Sequence, residues 1–522
     1  MIIPLIFIFL VFLFKLPFLN FPYHWDALGF TIPHALSIYK NNFNPFVSPY
    51  DVGHPPLFYF LLASTWKILG VHPWSSRLLL FIFVAGALYY TYLIGKELKI
   101  NIPPWAPPLL LFISPLFFAQ SGILNLEIPL TTFMLFSFYQ YLKGNKTLLT
   151  FGLTLLLLTK ISGIIFFLSL LIAHLVTSRG KLRKNDLPWI FFPLLLISAW
   201  LLIHQLKTGW ALYPPYLAFQ RKITFNLKEI LFLFLQNMKE LPAKLSLIIP
   251  FSFLALLTWK NKLPGITLLL LAILFSLLII FLPASLPLAV LVFILFLIYL
   301  SKKASASFVY LFTFVFFITT LSFYSLLTSS LPRYLLPLYP FFFLVFSLSL
   351  GELPASKSAS LLSGMAESVK HRPRRGYFSS REKIILVALV MLLEITGWSG
   401  TRQVSGEGSG AKLENNLEYA HLVKSHLSAD RYIETKFPGA TVLTTWPQVI
   451  ELTIPETGYV HGPYQVIYLD NYKKGMDYDI IYYSPQSHEA RKLRKIIQQE
   501  NLFLLYRKNI KGKEVFIYAP RR

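Results

Sequence analysis

Cysteine is absent from the 522-residue chain. Its absence excludes disulfides, thiolate metal sites and a cysteine nucleophile, and leaves the compartment open. Charge is scarce as well. Asp, Glu, Lys and Arg make up 14% of the residues, against about 25% in an ordinary soluble domain. Acidic groups are the scarcest, 24 Asp and Glu against 48 Lys and Arg, which gives a formal charge of +24. Most of the basic excess lies in short loops between apolar segments. That is the pattern of Lys and Arg retained on the inner side of a membrane, not of a nucleic-acid-binding surface.

What is abundant is apolar: 55% of the chain is hydrophobic. Up to residue 400, apolar runs of about 17–25 residues recur, long enough to cross a hydrocarbon core of roughly 30 Å. They lack the alternation of barrel strands, and backbone polar groups in lipid must be satisfied internally, so the runs are expected to be helices. The fold class expected is a polytopic α-helical membrane protein of about 13 spans. They are placed near 1–19, 77–95, 105–121, 128–142, 147–159, 161–177, 188–205, 246–259, 264–282, 284–300, 308–327, 335–350 and 384–399. The first run lacks a basic n-region and a small-residue cleavage site, and is expected to be retained as a span.

With the N-terminus inside, every inner loop is basic: Lys96 and Lys99; Lys143 and Lys146; Arg179 to Lys184; Lys260 and Lys262; Lys302 and Lys303; and the Ser/Lys/Arg-rich loop 351–383. The positive-inside rule and the span count therefore agree. Both put Asp26, His54, Glu127, Arg333 and the C-terminal region outside. Two long outer loops follow, 20–76 and 206–245. The first contains an apolar stretch from Pro55 to Leu69 that reads as an interfacial helix. The second carries outer basic charge, which an anionic ligand or lipid headgroups would explain. Residues 400–411 are Gly/Ser-rich and read as a linker. Two domains are expected, a membrane domain over 1–400 and a small extracytoplasmic α/β domain over 412–522. In the latter, helices are expected over 418–437 and 488–500, strands at 440–445 and 479–483, and a hairpin from 502–506 and 515–518.

Several residues at the outer ends of spans are candidates for chemistry. Asp26 follows the first span in the stretch Phe21-Pro-Tyr-His-Trp-Asp. A carboxylate there can act as a general base, although loop aspartates also cap helices. His54 opens His-Pro-Pro-Leu and is a phosphate contact, a metal ligand or a plain loop residue. Glu127 precedes the fourth span, where an ionisable group is costly and often functional; a capping role is the alternative. Lys160, in Leu-Thr-Lys between two apolar runs, suggests a buried ammonium with an anionic partner; snorkelling is the alternative. Arg333, in Ser330-Leu-Pro-Arg-Tyr-Leu-Leu-Pro337, suits phosphate, or with Tyr334 anchors a span at the interface. The triplet Asp477-Tyr-Asp479 has the spacing of a nucleotide-sugar motif but lies at a strand edge of the C-terminal region.

In order, Trp25-Asp26, His54-Pro-Pro-Leu, Ser76-Arg77-Leu-Leu, the acid Glu127, Leu158-Thr-Lys160 and Arg333-Tyr334-Leu-Leu-Pro resemble the GT-C glycosyltransferases. Among these they are most similar to the dolichyl-phosphate-mannose protein mannosyltransferase and aminoarabinose transferase group. The resemblance covers about residues 20–345. The group usually has Asp-Glu after the first span, whereas here Ala27 follows Asp26. The Trp-Trp-Asp-Tyr-Gly motif of oligosaccharyltransferases is missing, which argues against transfer of a whole oligosaccharide.

The resemblance implies a donor of one sugar on a polyprenyl phosphate, held at the bilayer of the plasma (cytoplasmic) membrane, and an acceptor hydroxyl on a protein, glycan or glycolipid. It casts Asp26 as the base, with Glu127 positioning the acceptor or tuning Asp26. Arg333, Lys160, Arg77, His54 and Tyr334 are then the donor-phosphate contacts. A cationic cluster can stabilise the departing phosphate without a metal or other cofactor, with a divalent cation left as an alternative. A lipid or solute transporter or flippase is the competing reading, but transporters carry paired repeats and ionisable groups near the midplane. A bare membrane anchor would leave the outer charged residues unexplained.

Overall fold

The computed structural model describes residues 2–215 except 101, a few positions over 226–234, then 307–326, 331–352, 380–398 and 409–521 except 501. The runs expected at 246–259, 264–282 and 284–300, most of the 206–245 loop and most of the 351–383 loop lie outside the described residues.

Helices stand wherever the other apolar runs were expected. They are α1 (Ile2–Lys15), α4 (Pro73–Glu97), α7 (Glu127–Leu142), α8 (Lys146–Thr159), α9 (Gly163–Thr177), α10 (Leu187–Thr208), α11 (Ser307–Ser325), α12 (Tyr339–Glu352) and α13 (Ser380–Thr396). Among the described residues, three are long and apolar enough to cross a bilayer: Pro73–Glu97, Lys184–Thr208 and Phe308–Ser325. Large apolar side chains face outward along α1 (Leu5, Phe9, Leu13) and α10 (Phe191, Leu195, Leu206). Such a belt suits a lipid environment and not water.

Two runs are interrupted, and proline is the reason both times. The run 105–121 is not one helix. It breaks into α5 (Ala106–Ile113) and α6 (Pro115–Gln120), because Ser114 is extended ahead of Pro115 (ψ 133°). The run 335–350 starts as the 3-10 turn Pro332–Leu338, whose Pro337 has no N–H to give to an α-helical ladder, and α12 follows.

The first long loop is more ordered than a loop reading implies. Ala27–Thr31 forms a π-helical turn that runs into α2 (Ile32–Lys40), and α3 (Leu57–Leu69) takes the place of the expected interfacial helix. A buried pair, His204 Nε2 to Asp51 Oδ2 at 2.8 Å, ties this loop to the end of α10.

The C-terminal segment is α/β. Its sheet has the order β2-β1-β3-β5-β4, with β1 (Thr441–Thr444) parallel to β2 (Gln465–Tyr468) and β3 (Ile480–Tyr483), and β5 (Lys513–Pro520) antiparallel to β3 and β4 (Leu502–Ile510). Alternate residues face opposite sides. Val442, Ile480 and Tyr482 pack with Ala429 and Ile433 of α14 (Glu418–Lys436), and Leu443, Ile481 and Tyr483 pack with Leu493 of α16 (Ala490–Gln499). Strand β2 and the short helix α15 (Gln448–Thr453) were not expected from the sequence. The other face of α14, with Tyr419, Leu422 and Val423, joins the same apolar cluster as the helices of the first part of the chain.

Candidate active site

Three carboxylates from separate parts of the chain converge on one guanidinium. Arg333, held by the proline-rich 3-10 turn, donates Nε to Glu127 Oε1 at 3.2 Å, Nη2 to Asp26 and Nη1 to Glu414. Lys160 Nζ donates to the same Glu127 oxygen at 2.8 Å. Arg333, Glu127, Lys160 and Glu414 are all buried. Asp26 is not; its side chain is 30% exposed. The cluster therefore shows solvent one carboxylate out of three.

Local structure explains each placement. Glu127 sits in the first turn of α7, where a carboxylate meets the positive helix end and Pro129 is tolerated. Lys160 is the extended residue ending α8, directly before α9. These helices have 14 and 15 residues, and their junction places Lys160 in the buried interior of the protein. Asp26 precedes the π-helical turn and follows Trp25, which holds a left-handed backbone (φ 46°). A bulky residue in that region is strained, and such strain collects at functional sites.

Tyr334 lies beneath both cations, with Lys160 Nζ 4.9 Å and the Arg333 guanidinium carbon 5.4 Å from its ring centroid. Its ring stacks on Tyr324 at 5.1 Å. Both tyrosines also line a small, partly open pocket, whose other walls include Leu130, Leu156, Phe166 and Phe316. A mostly apolar chamber thus opens beside the cationic pair.

The structure does not bring Arg77, expected as a phosphate contact, to this cluster. Its guanidinium is spent on backbone carbonyls: Gly122 (3.3 Å), Leu19 (3.4 Å), Pro73 (3.5 Å) and Pro22 (3.2 Å). Next to it, Ser76 Oγ accepts from Tyr23 Oη at 2.7 Å and Trp66 Nε1 at 2.8 Å. Ser76 and Arg77 together fix the strand of chain just ahead of Asp26. Arg77→Met is expected to destabilise the protein, at about 1–3 kcal/mol for each buried carbonyl left unpaired, as read by thermal unfolding in detergent or lipid. His54 is half-buried and lies ahead of α3. Asp479 receives the Thr441 N–H at 2.9 Å and so closes the start of β1, a structural use of the Asp-Tyr-Asp triplet.

Glu414 was missed by the sequence reading. At the end of the stretch taken as a linker, a 3-10 turn (Ser409–Asn415) inserts Glu414 into the cluster. Gln120 Nε2 donates to its carbonyl (3.1 Å) and Asn125 Nδ2 to its carboxylate (3.4 Å). Burial and the nearby charges of Asp26 and Glu127 push its carboxyl up to about 7, against the opposing pull of Arg333. The only signal for it was an acid just after a Gly/Ser stretch.

The C-terminal segment also walls the site. Trp446 meets Trp25 edge-on at 4.6 Å and tilts over Phe30 at 6.0 Å. Two glycines allow this approach. A Cβ on Gly410 would fall 2.0 Å from the Trp25 ring, and one on Gly29 would fall 2.5 Å from Trp446. Gly410→Ala is expected to push Trp25 away and cost about 1–3 kcal/mol, measurable as a lowered melting temperature with a matching loss of activity. Among the described residues, no three His, Cys, Asp or Glu side chains are grouped to hold a metal ion.

Residues 53–204 match the family model described as dolichyl-phosphate-mannose-protein mannosyltransferase. The fold is similar to that of ArnT from Cupriavidus metallidurans bound to undecaprenyl phosphate, with a TM-score of 0.57 and 12% identity over 98% of this chain and 97% of that one. ArnT in the apo state gives a TM-score of 0.55 at the same identity and coverage. No curated protein matches the chain by sequence. The resemblance to GT-C membrane glycosyltransferases of the mannosyltransferase and ArnT type, first carried by short motifs, thus extends to the fold of the whole chain.

Proposed function

We propose, taking the GT-C-like fold as premise, that this protein transfers a single sugar from a polyprenyl-phosphate donor to an acceptor hydroxyl. The observation that carries the reading is the partition of the charged cluster. A partly exposed carboxylate, Asp26, stands on one side of a buried Arg333 and Lys160, which adjoin an apolar cavity. The donor's lipid tail runs past the apolar side chains at that pocket, and its phosphodiester lies against Arg333, Lys160 and Tyr334. The neighbouring structure with undecaprenyl phosphate supports a lipid of this class.

In the reaction, the acceptor oxygen attacks the anomeric carbon while its proton passes to Asp26. The bond from the anomeric carbon to the phosphate oxygen breaks. The electron pair stays on the polyprenyl phosphate, where Arg333 and Lys160 meet the added charge. In-line attack inverts the anomeric centre. Glu127 holds both cations in place, and these can serve the departing phosphate without a metal. The reading includes a division into a membrane domain over 1–400 and an α/β domain over 412–522, about thirteen spans, a plasma-membrane location, and the site and C-terminal domain on the extracytoplasmic side, where the positive-inside pattern puts them. The acceptor is a protein, glycan or glycolipid.

The test uses purified protein in lipid with labelled polyprenyl-phosphate-mannose, related pentosyl and hexosyl donors, and undecaprenyl phosphate. Sugar release or specific donor binding is the expected result. If none of these ligands binds, the proposal fails and the transporter reading replaces it.

A further inference from the structure

We propose that Glu414 is a positioning residue that occupies Arg333 while the donor is absent and releases it, taking up a proton, when the donor phosphodiester arrives. The inference rests on the donor reading above and adds to it a link between donor binding and pH.

The argument begins with charge and available donors. Arg333 presents three nitrogens, and Glu127, Asp26 and Glu414 take one each. Three carboxylates against two cations leave the cluster one negative charge in excess, almost all of it buried. A phosphodiester entering this cluster adds another negative charge to a buried excess and competes with the carboxylates for the same two cations. One carboxylate must yield. Glu127 is the least free to do so, because Lys160 also holds it. Asp26 must stay ionised to accept a proton in the reaction. Glu414 remains. It belongs to a short turn, it is buried, and its carboxylate keeps a second partner in Asn125. A protonated Glu414 no longer competes for Nη1.

The groups facing Glu414 agree with this direction. They are Arg333 from its 3-10 turn, Asp26 from the first loop, Glu127 from α7 with Lys160 behind it, Gln120 and Asn125 from the α6–α7 region, and Tyr419 from α14. On its own turn, Lys412 points to solvent. The neighbouring His24 donates Nε2–H to Gly410 O (3.2 Å), and burial lowers its imidazole to about 3, so it stays neutral at physiological pH. An arriving anion adds to the repulsion from Asp26 and Glu127 and raises Glu414 further. The site then binds a proton with the donor when the solution lies above the free-site value of about 7 and below the bound-site value. In that window affinity falls as pH rises, by at most about tenfold per pH unit for one proton.

The experiment measures binding of polyprenyl-phosphate-mannose to the full chain in lipid at about pH 6, 7 and 8, a range in which a phosphodiester does not titrate. Wild type is expected to change little from about pH 6 to 7 and to bind distinctly more weakly from about pH 7 to 8. Glu414→Gln should bind tightly throughout with no pH slope, and Glu414→Asp should retain the slope, a result that a merely structural role would not give. Thermal unfolding in lipid checks that each variant is folded. Should Glu414→Gln not fold, Asn125→Leu, which removes the carboxylate's second partner, is expected to shift the slope along the pH axis. Donor binding that is flat with pH in wild type, or equally steep in Glu414→Gln, overturns the inference and leaves the proposed function standing. Absence of binding to this donor, to related donors and to undecaprenyl phosphate at every pH overturns both.

Discussion

Asp26→Asn is expected to keep donor binding and lose sugar transfer by about 10²- to 10⁴-fold, the usual contribution of a positioned general base. Asparagine is nearly isosteric and its amide oxygen can still accept from Arg333 Nη2, so the cluster stays assembled. What disappears is a group able to hold the hydroxyl proton. The loss should therefore fall on turnover with little change in donor affinity. Asp26 is the one carboxylate of the three with real solvent contact, its side chain 30% exposed against 3% for Glu127 and 1% for Glu414. An acceptor can reach it without dismantling the fold. Transfer at the wild-type rate by Asp26→Asn would remove Asp26 as the base.

Arg333→Ala carries the other large effect, and it acts on stability and on binding together. Three carboxylates lose their shared partner at once, two of them buried. Stripping one side of a buried ion pair typically costs about 3–5 kcal/mol, because the remaining charge has neither water nor a counter-ion. Donor affinity should also collapse, since Lys160 alone remains near the phosphate. Arg333→Lys is expected to fare little better. A planar fork can serve three acceptors lying in three directions, whereas an ammonium on a flexible stem cannot. Two measurements separate the contributions. Thermal unfolding of Arg333→Ala should improve when Glu414→Gln is added, because one buried charge is removed, while donor binding should not recover. If the single variant melts like wild type, the three contacts contribute nothing to holding the site.

Most helices could be placed from the sequence because apolar runs against a polar background are a strong, local signal. Reading broke down where proline acted inside a run. Pro115 and Pro337 were both visible in the sequence, yet hydropathy averages over them, and only the backbone shows that each breaks its helix. The turn and helix over 27–40 were hidden for the opposite reason, since a short helix with Pro33 and His34 has no long apolar stretch. The site divides the same way. Asp26, Glu127, Lys160 and Arg333 stood out because ionisable residues beside membrane-length apolar runs are rare. Glu414 lies in the polar stretch Lys412-Leu-Glu-Asn-Asn, where an acid attracts no notice. Its partner Arg333 is 81 positions away, beyond any local pattern. Arg77 entered only with the motif Ser76-Arg77-Leu-Leu, and a short motif cannot tell a ligand contact from a clamp on carbonyls.

The interlock of Trp446 over Gly29, Trp25 over Gly410 and Glu414 on Arg333 means that the C-terminal segment is not a detachable cassette. Exchanging it for the equivalent piece of a distant relative would replace the lock on one half and leave the key on the other. The two glycines, the two indoles and the ion pair would have to change together. Substitutions on either side of this seam are thus expected to be tolerated in matched sets and rejected singly, so the seam rather than the charged cluster limits how proteins of this fold can be recombined.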